Sequence, residues 1–263
     1  MSLNSYLKGC LGEKHLSEKS PGSAEFFRAQ LALIKRKPLL KKSYLQFYEN
    51  FRRDLDTVRG PGTKVLELGS GGGFLKEVVP QVITSDIYEG VAELKIDARS
   101  IPFADGEIRG LFLASVLHHV PDVEAFFAEA YRVLCLNGIC AIVEPCNTPF
   151  ARLFYRHFHH EPFLPDVQSW RFTQSDAMLD SNQALSWIVF ERDQEKFRKL
   201  FPGFSVERKA FLPTLGYILS GGVNYRPLWP SALSDVVAGM ERRLSRLNGA
   251  FSLLWYILLR KVS

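Results

Sequence analysis

The chain is predicted to be an α/β protein built on a mostly parallel sheet, and three observations predict it. Short β-rich apolar runs alternate with stretches of helical periodicity between residues 64 and 143. The first of these runs opens into a glycine cluster. Polar residues recur at the carboxyl ends of the runs: Glu67, Asp86, Asp97, Ser115 and Glu144. Strands alternating with helices imply right-handed crossovers with helices on both faces. In such sheets ligands sit outside the carboxyl ends of the strands.

At 263 residues one main domain with appended elements is expected. The N-terminus does not read as a secretory signal, because Glu13, Lys14, Glu18 and Lys19 interrupt any apolar stretch. Residues 23–57 read as helical with a break near Pro38, and Gly60-Pro61-Gly62 ends them as a turn. Residues 1–58 are therefore assigned to an N-terminal helical cap and 59–263 to the main domain.

Lys64 to Leu68 reads as the first strand, followed by a helix-compatible stretch through Val79. Val82 to Ser85, Leu94 to Ile96 and Leu111 to Ala114 are the next strands. Val123, Phe126, Phe127, Ala130, Val133 and Leu134 recur at helical spacing, with Asp122 and Glu124 at the positive end. Asn137-Gly138 turns the chain into a fifth strand, Ile139 to Val143. Beyond Pro145, residues 147–190 are rich in aromatics and histidines without clear periodicity. A helix is expected over Gln194 to Leu200, a strand over Phe204 to Lys209, an insertion over 211–249, and a last strand over Phe251 to Leu259.

The four cysteines, Cys10, Cys135, Cys140 and Cys146, lack C-x-x-C spacing, so neither a zinc site nor a disulfide framework is indicated. A reducing, cytoplasmic location is the default expectation. The net charge of +5 is modest, but Lys35, Arg36, Lys37, Lys41, Lys42, Arg52 and Arg53 crowd one stretch, interleaved with Tyr44, Phe47, Tyr48 and Phe51. That pattern suits a solvated helix with an apolar underside; an anionic substrate or membrane face is the alternative. No nucleic-acid module is visible, and no nucleic-acid partner is expected.

The glycine loop discriminates among ligands. A dinucleotide fingerprint would want a small residue where Phe74 stands, and no Lys-Ser or Lys-Thr follows Gly73 as a phosphate-cradling loop requires. Glu67 precedes Gly69, Gly71 and Gly73; it disfavours a pyrophosphate and suits a cationic ligand. Asp86, at the end of the second strand, can accept hydrogen bonds from both hydroxyls of a ribose. Ile87 offers an apolar face for adenine, and Asp97 can accept from its amino group. Each acid alone would read as a helix cap; their order argues otherwise.

The order Glu67-Leu68-Gly69-Ser70-Gly71-Gly72-Gly73, Ser85-Asp86-Ile87, Ile96-Asp97-Ala98 with Ile101-Pro102-Phe103-Ala104-Asp105, Ser115 to Val120, and Glu129 with Arg132-Val133-Leu134 resembles the class I methyltransferases. Within them it is most similar to the subgroup of ubiquinone, menaquinone and other small-molecule methyltransferases. The resemblance covers roughly residues 60–145. It implies a Rossmann-like seven-stranded sheet whose last strand is antiparallel, and S-adenosylmethionine as cofactor, which carries an ammonium and a sulfonium but no phosphate. It also implies cofactor contacts from Glu67, Gly69, Ser70, Gly71, Gly73, Asp86, Ile87, Asp97, Ala98, Ser115, Val116 and His118. Two positions depart from the family: Gly110 replaces an aspartate opening the fourth strand, and Cys135-Leu136-Asn137-Gly138 replaces Lys-Pro-Gly-Gly. The first admits an alternative, a scaffold or regulator that binds cofactor without turnover.

Methyl transfer to a hydroxyl requires a base, and histidine has the appropriate pKa. His119, His160 and Glu144 are the candidates, His160 belonging to a second cluster with His157, His159 and Glu161. That cluster lacks a further ligand pattern, so no metal is expected. The 211–249 insertion together with the basic N-terminal helix points to a small-molecule or glycan acceptor, anionic or lipid-linked, methylated on oxygen or nitrogen ahead of carbon, and peripheral membrane contact is allowed.

Overall fold

The computed structural model of the protein describes residues 12, 13, 16 and 18–263; Cys10 and Lys14 lie outside the described residues. Two helices open it. Helix α1 (Ala24–Arg36) starts at Ser23, whose Oγ accepts from the Phe26 N–H at 3.1 Å. Helix α2 (Pro38–Leu55) has Pro38 in its first turn, where the missing N–H costs nothing, and this accounts for the break read from the sequence. The aromatic stripe of α2 is its buried side: Phe51 stacks on Phe112 with centroids 4.7 Å apart. Lys35 and Arg36 at the end of α1 and Arg52 on α2 are exposed and meet, in turn, Glu77, Glu13, and Glu49 with Asp56. Lys37 between the helices is instead buried against Glu13 and donates to the Gly222 and Tyr225 carbonyls. The basic stretch is therefore a solvated face except at Lys37.

Seven strands form one sheet: β1 (Lys64–Leu68), β2 (Val82–Asp86), β3 (Leu94–Lys95), β4 (Ile108–Ala114), β5 (Leu134–Pro145), β6 (Phe204–Phe211) and β7 (Leu254–Lys261). Their order is 3-2-1-4-5-7-6. β1 to β5 pair in parallel, whereas β7 runs antiparallel to both β5 and β6. Ile139 to Val143 and most of β7 are completely or almost completely buried, as near-continuous apolar strands covered on both faces should be. Helix α3 (Val123–Val133) is capped by Asp122, which accepts from the Ala125 N–H at 3.0 Å.

Four local expectations are corrected. After the glycine loop the chain forms one 3-10 turn, Leu75–Glu77, rather than a helix. Pro80 disfavours α geometry at the β-branched Val79 before it, and Phe74, Leu75 and Val79 are all buried within the short link. β5 begins at Leu134, and Asn137 takes a left-handed φ of 64°, a conformation asparagine tolerates better than most side chains. Residues 147–190 contain α4 (Pro149–His157), opened by Thr148 and Pro149, and α5 (Leu185–Trp187), which runs into a π-helical stretch, Ile188–Arg192. Helix α6 (Gln194–Leu200) falls where the periodicity put it. The 211–249 segment is folded as α7 (Leu215–Leu219), α8 (Ser234–Leu244) and the start of α9 (Asn248–Phe251), so the last strand starts at Leu254.

Gly110 has a packing reason. A Cβ there would lie 2.6 Å from Leu55 Cδ1, so the missing side chain is the seat for the end of α2. Among the described residues no helix is long and apolar enough to cross a membrane.

Candidate cofactor and acceptor site

At the carboxyl edge of β1 the chain must turn sharply, and Gly69 and Gly71 do so with φ of 64° and 47°, a region open to glycine. Gly69 is fixed twice over, since a Cβ would strike Val116 at 2.5 Å. β2 delivers Asp86, nearly buried, whose Oδ2 accepts from the Gly71 N–H at 2.9 Å and whose Oδ1 accepts from the Tyr88 N–H at 3.1 Å. Each oxygen keeps an acceptor site for a ligand. Ser70 is tied across to β2: its N–H donates to Ser85 O at 2.8 Å and its Oγ accepts from the Ser85 N–H at 3.2 Å.

Glu67 is the telling residue of this wall. It is 3% exposed, and its Oε2 is buried with no hydrogen-bond partner. Burial raises its pKa to about 7, against a hydrogen bond from Ser70 that lowers it, with the Asp86 charge adding to the rise. A buried acceptor left open is expensive, and a cationic ligand would satisfy it. Phe74, Tyr48 and Tyr44 pack edge and face beside it.

A second cluster of polar residues comes from distant segments. Ser115 ends β4 in a left-handed conformation, φ 59°, a strained state for a residue with a Cβ. The turn aims the N–H groups of Val116 and Leu117 at Glu144 Oε1, each at 2.7 Å. Glu144 Oε2 meets His118 Nδ1 at 2.6 Å, so Nδ1–H donates to the carboxylate. His118 Nε2 lies 3.3 Å from Glu161 Oε2. Glu161 also faces His119 Nε2 at 3.9 Å and His160 Nε2 at 3.4 Å, and accepts from Ser181 and Gln183.

The electrostatics follow. Burial alone would lower the His118 pKa, but the carboxylates of Glu144 and Glu161 override it and raise it to about 10. Burial and the neighbouring His118 charge push His119 down to about 4, and burial does the same for His159. Burial opposes ionisation of Glu161, yet His118 and its neighbours hold its carboxyl well below the usual range. At neutral pH the cluster thus combines the His118 imidazolium, neutral imidazoles at His119 and His159, and the Glu161 carboxylate.

Of the residues singled out from the sequence, Glu67, Gly69, Ser70, Gly71, Gly73 and Asp86 converge on the loop, and Val116 packs against it. Ile87 and Ala98 are half-buried at the same edge. Asp97 is drawn aside: both of its oxygens are held by Arg99, at 2.9 and 2.6 Å, which lowers its pKa. Among the base candidates, His119 and His160 gather around Glu161, but Glu144 does not face the cleft. It is fully buried and holds the turn and His118 in place. Sequence reasoning missed the cap's part in the site. Gln30 Oε1 accepts from the Gly72 N–H at 3.2 Å, Tyr48 Oη accepts from the Phe74 N–H at 3.2 Å, and Phe27 covers Gly71. Nothing local in residues 27–48 marks them; only the aromatic run hinted at packing. Glu161 was visible as a neighbour of histidines, but not as the hub.

Comparison with known proteins agrees with this layout. Residues 66–142 match the family described as methyltransferase domain. The chain is 27% identical over 94 residues to the ubiquinone/menaquinone biosynthesis C-methyltransferase UbiE of Desulfotalea psychrophila, covering 34% of this chain and 38% of that protein. It is 26% identical over 106 residues to the chloroplastic 2-methyl-6-phytyl-1,4-hydroquinone methyltransferase 2 of Oryza sativa subsp. japonica, covering 33% and 30%. The matches thus span well under half the length of either relative. In fold it is similar to geranyl diphosphate C-methyltransferase from Streptomyces coelicolor A3(2), solved with Mg2+, geranyl diphosphate and S-adenosyl-L-homocysteine, at a TM-score of 0.50 and 14% identity over 96% of this chain and 89% of that one. An S-adenosylmethionine-dependent methyltransferase from Archaeoglobus fulgidus gives a TM-score of 0.50 at 15% identity over 83% and 95%. The sequence of residues 66–142 marks a methyltransferase domain, and the order of the seven strands is that of a Rossmann-like methyltransferase fold.

Proposed function

We propose that the protein transfers a methyl group from S-adenosylmethionine to a small molecule bearing an ionisable hydroxyl. The observation that carries this reading is the unpartnered Oε2 of Glu67, buried beside a glycine turn that carries the Asp86 carboxylate. A ligand with an ammonium and a ribose diol fits both acids, and one with a pyrophosphate does not. S-adenosylmethionine supplies an activated methyl on a sulfonium, so the chain's residues mainly position and move a proton. Glu67 and Asp86 bind and orient the cofactor, and the cap residues Gln30 and Tyr48 exclude water from the loop. His160, at the exposed rim of the cluster, accepts the acceptor's proton, with the Glu161 charge stabilising the imidazolium formed; His119, pushed down to about 4, is too weak a base for that step. Glu144 positions His118 and touches neither reactant.

Oxygen remains the favoured acceptor atom; the curated relatives are named as a C-methyltransferase and a hydroquinone methyltransferase, which suits an aromatic ring bearing that hydroxyl. A lipid-like acceptor also accords with α8 and its flanks, where Leu233, Val236, Met240, Leu244, Leu247 and Phe251 are exposed beside Arg242, Arg243 and Arg246. That mixture suits an anionic bilayer surface. The decisive experiment is calorimetric titration with S-adenosylmethionine followed by transfer of labelled methyl to small-molecule fractions of a cell extract. Binding with no label transferred to any fraction would favour a non-catalytic scaffold; absence of binding would overturn both.

A further inference from the structure

We infer that His118, His119 and Glu161 form a binding site for one divalent transition-metal ion, of the Zn2+ or Fe2+ kind, on the acceptor side of the cleft. One ligand atom from each of these residues lies within 4.8 Å of the others. His118 Nε2 and His119 Nε2 are 3.3 and 3.9 Å from the two oxygens of Glu161. Ligands at about 2.0–2.1 Å from a tetrahedral ion stand about 3.3 Å from one another. His118 Nε2 and Glu161 Oε2 already stand at that spacing, and the remaining pairs, none above 4.8 Å, would close by up to about 1.5 Å on coordination.

The surroundings match a metal centre as well. Histidines that bind metals donate their other ring N–H to a carboxylate, which fixes the tautomer and ring orientation. His118 does this through Nδ1 to Glu144, itself anchored by the Val116 and Leu117 N–H groups. Gln183 and Ser181 both donate to Glu161 Oε2, the oxygen nearest His118, and so fix the carboxylate's orientation. Two imidazoles and one carboxylate select a borderline ion over Mg2+ or Ca2+, which favour oxygen, and three protein ligands leave a position open. Without an ion, the same atoms are held together by a proton between His118 and Glu161, and this is the competing account. His159 and His160 form a second such group on the same Glu161 carboxylate, with His160 at the exposed rim. A bound ion would polarise an acceptor oxygen. The inference deepens the proposed acceptor site, yet its test reads metal, so it stands or falls separately from methyl transfer.

The test is titration of the chelator-stripped, full-length protein with Zn2+, and with Co2+ as a spectroscopic probe. One Zn2+ per chain is expected, unaffected by excess Mg2+, with the intense visible absorption of low-coordinate Co2+. Glu161→Gln and His119→Ala should each weaken Zn2+ binding by at least ~100-fold. Glu144→Gln should weaken it by roughly 10–100-fold, as loss of an outer partner does. Wild-type protein that takes up no stoichiometric Zn2+, or gives only the faint spectrum of hydrated Co2+, would overturn the site without recourse to any variant. Unchanged Zn2+ affinity in a folded Glu161→Gln protein would do the same.

Discussion

The two walls of the cleft are built in opposite ways. The cofactor wall is local: Glu67 to Gly73 and Asp86 come from two adjacent strands, and backbone turns do most of the shaping. The histidine wall, proposed to face the acceptor, is assembled from afar, with His118 and Glu144 from neighbouring strand ends and Glu161, Ser181 and Gln183 from an irregular stretch. A wall made of backbone geometry tolerates few residue types, whereas one made of side chains can be rebuilt for a new acceptor. Damage to one wall should therefore leave the other's function measurable.

The largest effect is expected on the acceptor side. A His119→Ala, His160→Ala double variant should lose about 10²–10⁴ in turnover, the range for general-base catalysis, with cofactor affinity unchanged. Wild-type turnover by that variant would sink the histidine base. On the cofactor side, Asp86→Ala should weaken S-adenosylmethionine binding by roughly 10–100-fold, as loss of a charged acceptor costs about 1.5–3 kcal/mol. Calorimetry showing undiminished binding would separate Asp86 from the cofactor.

A smaller effect is tied to pH. Because burial holds Glu67 near 7, its anion forms only as pH rises through that value. Affinity for the cationic cofactor should rise by up to about tenfold per pH unit below 7 and then level. Glu67→Gln should flatten the profile. The stability sign is opposite: the raised pKa stabilises the folded state fully below the unfolded carboxyl's value, and that contribution fades as pH rises toward 7. Ligand-free Glu67→Gln protein should therefore melt above wild type at pH 8.

The smallest change tests the seat of helix α2 on the sheet. Gly110→Ala should displace Leu55 and destabilise by about 1–3 kcal/mol, as overpacked cores do, lowering the melting temperature by roughly 2–10 °C. An unchanged melting temperature would show that α2 is not seated on that glycine.

Much of this was legible before the fold was known. The alternation of β-rich and helical runs, Asp122 as a cap and the glycines at 69 and 71 all act within a few residues, so periodicity and turn chemistry reveal them. The short link at Leu75–Glu77 was misread because Val78 and Val79 continue an apolar pattern while Pro80 breaks its geometry. Helix α4 was missed although Thr148-Pro149 is a start signal, because its aromatics blur the helical period.

By itself, then, the sequence determined the sheet, the turn at Gly69 and the acids at its edge, since hydrophobic periodicity and left-handed backbone are local properties of the chain. Only the tertiary structure decided that Gln30 and Tyr48 close over that turn, that Gly110 is a seat for Leu55, and that Glu161 gathers three histidines. Those contacts join residues far apart in the chain, and their energies depend on burial and charge proximity, which no spacing encodes.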